Sequence, residues 1–307
     1  VIAYLIGRLF GFVVTIVFIS AAVFVVLSVI PGDPAQIIVG IEADPATYQA
    51  VRASLNLDQP APYRYIAWLR SAIRGDFGTS ISLYQGRSIA ALIGSRLRIT
   101  LPLTALALAF TLLLSLPLSV YAAIHHNRIQ DYVGRLLMQL GMILPEFWVG
   151  ILLIFLFAVT LHWVPVIGGG GIALILPAIA LALPRAAVFG RMTRAALLET
   201  FSQEYITAAR AKGVSEGRVI YKHALRNALI PLATLAGLLV AQLIAGSIIV
   251  ENVFGLRGIG QLAYHAIGAR DLPLVQAITM VIAALIVFIN FAVDVIYGLL
   301  DPRVRYQ

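Results

Sequence analysis

The stretch EYITAARAKGVSEGRVIYKHALRNALIP, Glu204 to Pro231, interrupts an otherwise apolar chain. It carries Glu204, Arg210, Lys212, Glu216, Arg218, Lys222 and Arg226, and it holds both lysines of the protein. The whole chain has 307 residues, 61% of them hydrophobic and 12% charged, with a mean hydropathy of +0.95. A soluble domain has about a quarter of its residues charged, so this composition is that of a polytopic membrane protein. Seven charges at roughly 3 kcal/mol each would cost on the order of 20 kcal/mol at a helix centre in lipid. The stretch must lie outside the hydrocarbon, and the fold is read from the spans on either side of it.

A spanning helix needs about 20 mostly apolar residues. Leu9–Ile30 qualifies, follows Arg8, and is too long for a signal-peptide core, so it reads as a retained anchor. Pro31-Gly32-Asp33-Pro34 then stops the helix. Residues 31–98 are mixed and polar, with helical pieces at Ala46–Leu55 and Tyr63–Ile73. Five further apolar stretches follow: Thr100–Ile124, Val133–Leu161, Ile172–Val188, Leu229–Val250 and Leu274–Leu300. The fourth is short and holds Pro177 and Pro184, where bends are expected. The predicted fold is an all-α integral membrane protein with six transmembrane helices. Its parts are residues 1–30, an extracytoplasmic segment at 31–98, and a five-helix core at 99–307 with its charged loop at about 195–228.

Lysine and arginine in short loops set the orientation. With the N-terminus inside, the cytoplasmic side holds Arg8, Arg128, Arg135, Arg185, Arg191, Arg194, Arg210, Lys212, Arg218, Lys222, Arg226, Arg303 and Arg305. The short outer loops hold Arg257 and Arg270. Both termini and the charged stretch are therefore expected in the cytoplasm. The net charge of +8 follows from this topology and is no sign of nucleic acid.

Within the charged stretch, Thr200 to Gln203 fits a capping box, with Thr200 as N-cap and Gln203 reaching back. Phe201, Tyr205, Ala208 and Ala209 then share one helical face. Gly213 takes the C′ position, with Val214 as its apolar companion. Ser215 caps a second helix, which Glu216 opens and which runs to Pro231. Ala208, Ala209, Ala211 and Gly213 permit close approach by another surface. A basic amphipathic helix resting on anionic headgroups is the other reading. Its apolar groups would normally be larger than alanine, which favours a protein partner.

Several chemistries are absent from the sequence. There is no cysteine, so thiol catalysis, disulfides and cysteine metal sites are excluded. A P-loop needs Lys-Ser/Thr after a glycine-rich turn, but Lys212 and Lys222 are followed by Gly213 and His223. His125, His126, His162, His223 and His265 form no zinc-peptidase pattern, and His125-His126 reads as a solvated pair at a span end. The run Gly168–Gly171 reads as an outer turn. No catalytic residue and no metal site is proposed.

The segment Glu204–Leu232 resembles the EAA-loop signature of ABC-importer permeases. Its ARAKG and HALRNALIP pieces are similar to the dipeptide, oligopeptide and nickel permease family. Further matches run the length of the chain. They are IPGDP (Ile30–Pro34), GDFGTSI (Gly75–Ile81), LPEFWVGILL (Leu144–Leu153), VENVFGLRGIGQL (Val250–Leu262), ARDLPLVQ (Ala269–Gln276) and DPRVRY (Asp301–Tyr306). The long segment after span one resembles the first of the two permease subunits of such systems. The resemblance implies a five-part bacterial or archaeal importer in the cytoplasmic membrane. This chain and a second homologous permease form the pathway, two cytoplasmic ATPases bind ATP and magnesium, and an extracytoplasmic binding protein delivers solute. The chain itself would carry no cofactor and catalyse nothing. The family carries dipeptides, longer peptides, glutathione, nickel chelates, opines and some sugars, of which peptides rank first.

By the same resemblance the ATPase-coupling residues are Glu204, Tyr205, Ala208, Ala209, Arg210, Lys212 and Gly213. Candidate pathway residues are ionisable or polar groups inside spans: Glu146, Gln242 and Asn290. Glu146 could instead bond backbone freed by Pro145. Asp294 shares a face with Asn290 and is expected to bond a neighbouring helix. Asp76, Phe77, Glu251, Arg257, Arg270 and Asp271 are expected to dock the binding protein. A stand-alone channel or carrier would need repeats and several midplane charges. A membrane enzyme would need a convergent catalytic set. The sequence supplies neither.

Overall fold

The computed structural model describes residues 2–29, 34–40, 44–54, 57–164 and 171–300. Within them the regular secondary structure is helical, joined by turns and loops, with an isolated antiparallel bridge between Thr79 and Ser88. The helices, in order, are α1 (Ile2–Val29), α2 (Pro34–Val39), α3 (Pro45–Ser54), α4 (Ala61–Ile73), α5 (Ile89–Ile124), α6 (Ile129–Ile143) and α7 (Glu146–Leu153). There follow α8 (Ile175–Phe201), α9 (Glu204–Ala211), α10 (Glu216–Arg218), α11 (Leu225–Val253), α12 (Ile259–Gly268) and α13 (Leu272–Leu300). A π-helical turn, Ile154–Thr160, extends α7, and another, Val219–Ala224, joins α10 to α11. The motifs at Ile30–Pro34, Gly168–Gly171 and Asp301–Tyr306 lie wholly or largely outside the described residues.

Five helices are long and apolar enough to cross a membrane, and a sixth span results if the two arms α6 and α7 count as one. That third span is not the continuous helix expected at Val133–Leu161. The arms meet at 99° across Leu144 and Pro145. Steric conflict with a following proline pushes Leu144 into an extended conformation, φ −72° and ψ 120°. Pro145 also has no N–H to continue the ladder, and α7 restarts at Glu146. Two other boundaries move. Span two begins at Ile89, inside the segment assigned to residues 31–98. Span four continues past its expected end at Val188 to Phe201, so Arg191 and Arg194 lie on the same helix as Arg185 and not in a loop.

The chain divides into two compact units. The first comprises residues 101–256 with 1–7 and 289–307, and α8 is its hub, packed against α6, α7 and α11. Small residues make that packing possible, as membrane helices require in place of a hydrophobic drive. A Cβ on Gly141 would stand 2.8 Å from the Ala187 side chain, and one on Gly134 would stand 3.0 Å from Ala122. Asp131 of α6 is fully buried and receives Arg194 of α8 at both oxygens, 2.6 and 2.7 Å. His126 is exposed, as expected, and its Nδ1 also lies 3.3 Å from Arg194 and 3.4 Å from Asp131, on the rim of this cluster.

The second unit comprises residues 8–100 and 257–288. Ile89, Leu92 and Ile93 bury against Ile259, Leu262, Ala266, Leu274 and Ile278 to form its core. The hydroxyl of Thr100 accepts the first N–H of α12, from Ile259, at 2.8 Å. Tyr65 of α4 shares a hydrogen bond with Ser20 of α1 at 2.8 Å and packs its ring on Phe24. These contacts pin α4 to the first span.

Candidate functional site

The charged stretch forms two helices joined by a tight turn. α9 does not begin with the expected capping box. α8 continues through Thr200, whose hydroxyl donates to Ala196 O at 2.7 Å, and the Gln203 side chain reaches Glu199 O at 3.5 Å. The break at Ser202-Gln203 resets the helical phase. The buried face of α9 is therefore Ile206, with Ala209 half-buried beside it; of the other residues expected on that face, Phe201 at the end of α8 does pack on the same cluster, whereas Tyr205 and Ala208 are exposed. Ser215 does stand at the N-cap position of α10, but its side chain makes no capping bond.

The turn itself is as the sequence reads. Gly213 has φ +77°, which glycine adopts without a Cβ penalty. Its N–H donates to Arg210 O at 2.9 Å, and Val214 N–H donates to Ala209 O at 3.2 Å, the paired bonds of a Schellman motif. Val214 and Ala209 both pack on the same apolar cluster. Arg210 clips across the turn to Glu216 at 2.8 Å. That pair is exposed, so it contributes at most about 1 kcal/mol.

Beneath α9 lie Val120 and Ala123 of α5, Leu197 of α8, and Val219, Ile220, Ala224 and Ala228 leading into α11. Ile206 fills the middle of this cluster and is fully buried. Glu204, Tyr205, Ala208, Arg210, Lys212 and Gly213 remain exposed, Tyr205 at 43%. The Tyr205 hydroxyl accepts from Asn227 at 3.0 Å. Ile206 is the residue that sequence reasoning missed. Its signal was being the one bulky aliphatic group among alanines between Glu204 and Ala211.

Glu146 does not bond backbone freed by Pro145. Its Oε2 lies 3.0 Å from Nη2 of Arg185, with the two side chains 11% and 20% exposed. The N–H does not point at that oxygen, and Arg185 Nε has no hydrogen-bond partner among the described residues. The pair is a charge contact with unused hydrogen-bonding capacity. Arg185 Nη2 also donates to Gln242 O at 3.4 Å. Gly246 makes the room: a Cβ there would lie 2.8 Å from Glu146 Oε2 and 2.9 Å from Arg185 Nη2. Arg185 thus links the Glu146 side chain to the main-chain carbonyl of Gln242. Asn290 is elsewhere, with its Oδ1 2.6 Å from where a Cβ of Gly237 would stand. The Asp294 side chain lies outside the described residues.

The six expected docking residues do not share one character. Asp76, Arg257 and Arg270 are exposed, and Phe77 is half-buried against the core of the second unit. Glu251 and Asp271 are fully buried, so neither offers its carboxylate to a partner surface. Asp271 is a clamp: it accepts from the Ser80 hydroxyl, from the Ser82 and Leu83 N–H groups at 3.1 Å, and from Leu274 N–H at 3.3 Å. The described residues contain no group of three or more His, Asp and Glu able to hold a metal ion.

This fold is that of importer permeases. A methionine ABC transporter, MetNI, in an inward-facing conformation aligns with a TM-score of 0.60 at 22% identity, covering 69% of this chain and 97% of the other. An amino acid ABC transporter with histidines aligns at 0.50 and 19% identity, covering 69% and 94%. The sequence carries the assignment further. Residues 115–306 match the family of binding-protein-dependent transport system inner membrane components, and residues 1–104 match the N-terminal region of such membrane components. The glutathione transport system permease protein GsiC of Escherichia coli K12 is 38% identical over 305 residues, 99% of each chain, and its counterpart in Salmonella choleraesuis is equally similar. The chain belongs to this family: it is a multi-pass membrane permease subunit of a binding-protein-dependent ABC importer.

Proposed function

We propose that the chain forms half of a translocation pathway for short peptides, glutathione-like tripeptides among them, with a second homologous permease supplying the other half. Two cytoplasmic ATPases bind ATP and magnesium, and an extracytoplasmic binding protein delivers the solute. Both termini and α9 face the cytoplasm, and the segment around α2 to α4 faces outward. The peptide assignment rests on the likeness to glutathione permeases over 99% of the chain.

One observation carries the coupling mechanism. Ile206 is buried in a cluster supplied jointly by α5, α8 and the start of α11, while the other face of α9 is exposed. A push on that exposed face by a closing ATPase pair reaches the ends of three helices through one packed core. Packed cores switch between discrete arrangements and do not deform smoothly, so α8 and α11 move as levers. Glu204, Tyr205, Ala208, Arg210, Lys212 and Gly213 form the contact face, and Ala209 with Ile206 transmits the load. Glu146, Arg185 and Gln242 lie on a face that lipid would penalise, since an isolated charge at mid-bilayer costs roughly 3 kcal/mol or more. That face lines the pathway shared with the second permease, and Asn290 lies on the neighbouring wall. Arg257 and Arg270, both exposed, receive the binding protein.

The test is to reconstitute the five-part complex with Glu204→Lys or Gly213→Asp. Uptake and solute-stimulated ATP hydrolysis are expected to fall together while basal ATPase activity of the free nucleotide-binding subunits stays. Normal uptake in both variants would remove the coupling assignment.

A further inference from the structure

The second unit contains a cavity of about 630 Å³ between α4 and the turn that follows it. This is inside the range of about 300–1,000 Å³ typical of small-molecule sites. Its lining combines three aromatic side chains, Tyr63, Trp68 and Phe77, with the hydroxyl of Ser71 and one charge of each sign, Arg64 and Asp76. Arg64 is held over the ring of Phe24 at 5.8 Å, and its Nε is buried with no hydrogen-bond partner among the described residues. A buried guanidinium donor left unpaired is costly unless a ligand completes it. Asp76 accepts the Gly78 N–H at 2.9 Å through Oδ1, which fixes its carboxylate and leaves Oδ2 for a cation.

The walls are held before any ligand arrives. α4 is pinned to α1 through Tyr65 and Ser20, and the chain just after the turn is clamped by Asp271. Such preorganisation lowers the ordering cost of binding. Opposite charges in an aromatic-walled cavity fit a zwitterion with an apolar middle. We infer that this cavity is a solute site of the permease itself, taking a short peptide with its carboxylate on Arg64, its ammonium on Asp76 and an apolar side chain against Trp68 and Phe77. The inference rests on the peptide reading of the importer. It adds a site distinct from the spans, where solute is held between release from the binding protein and entry to the pathway.

The probe is Ala-Phe-Ala with free termini, titrated into the complex of both permeases and both ATPases in nanodiscs without the binding protein. Saturable binding is expected, and blocking either terminus should weaken it about tenfold, the loss of one charge-assisted contact. Arg64→Gln should lose the preference for a free C-terminus and Asp76→Asn the preference for a free N-terminus. Ser71→Trp, which fills the cavity and spares both charges, should abolish binding. Absence of saturable binding, or binding that ignores these substitutions and the blocked termini, overturns the site. So does Ser71→Trp leaving peptide binding intact while abolishing association of the binding protein, because the cavity would then be a docking socket. Uptake by the full five-part importer is measured separately. Import of Ala-Phe-Ala without cavity binding removes this inference and keeps the peptide assignment. Cavity binding without import keeps the site and removes the assignment.

Discussion

Glu146 at the start of α7 and Arg185 in the middle of α8 face each other at 3.0 Å, each the one charged residue of an apolar stretch, Glu146–Leu153 and 175–190. The contact joins the second arm of a broken span to the hub helix of its unit, and Gly246 of α11 closes over it. Removing one partner leaves the other charge largely out of water. Glu146→Gln or Arg185→Gln should each destabilise the complex by about 3 kcal/mol, whereas the double variant should lose less than either. Thermal unfolding of the four variants in detergent measures this coupling, and additive losses would show that the pair does not interact.

Gly246 and Gly94 separate packing from helix propensity. Alanine normally gains about 1 kcal/mol over glycine in a helix interior. At Gly94 of α5 nothing lies within 4 Å of the added Cβ, so Gly94→Ala should be neutral or stabilising. At Gly246 the Cβ would meet Glu146 Oε2, Leu181 Cδ1 and Arg185 Nη2 at 2.8 to 2.9 Å. Gly246→Ala should cost about 1–3 kcal/mol of overpacking and reduce uptake. Melting temperatures of the two variants moving in the same direction would contradict this account.

Asp271 holds the segment 80–83 by accepting one hydroxyl and three backbone N–H groups, those of Ile81, Ser82 and Leu83. Asp271→Asn keeps the shape but replaces one acceptor oxygen with a donor facing donors. A loss of about 2–4 kcal/mol in local stability is expected. Limited proteolysis and hydrogen exchange should report it at residues 76–88, with little change around α9.

Arg270 has φ +53°, in a turn where Asp271 N–H donates to Ala266 O at 2.9 Å. This is a Schellman turn with arginine where glycine is usual, a strain of about 1–2 kcal/mol. Arg270→Gly should relieve the strain and, after glycine's entropy cost of roughly 0.5–1 kcal/mol, leave a small net gain in stability. Strain kept at an exposed position has a functional reading, so the same variant should bind the binding protein more weakly. Greater stability with unchanged association would remove Arg270 from the docking surface.

The break in the third span was partly legible. Pro145 was visible, and the residue before a proline is pushed out of the α region. The long apolar run still read as one helix, because hydropathy records burial and not direction. The pairing of Arg185 was hidden for a related reason. Counting loop charges assigns an arginine to water unless a partner is known, and Glu146 is 39 positions away in sequence, brought near only by packing. Ile206 escaped because Thr200 looked like a cap. Whether a threonine caps a helix or donates back to position i−4 depends on where the preceding helix ends, and α8 is long enough to absorb it. Asp271 and Glu251 looked like surface charges because nothing in a single sequence distinguishes a carboxylate that meets solvent from one that meets backbone N–H groups.

The sequence by itself determined that this chain crosses a membrane several times, that the charged stretch from Glu204 breaks the apolar pattern, and that Gly213 turns one helix into the next. Each of these follows from local quantities: the transfer cost of charge, the length of an apolar run, and the φ angle a glycine tolerates. Tertiary structure alone decided which charges pair, which carboxylates are clamps, and which face of α9 is left for a partner. Those outcomes depend on where helices distant in sequence meet, and hydrogen bonds and ion contacts discriminate at a few ångströms, a scale that hydropathy and helical periodicity do not resolve.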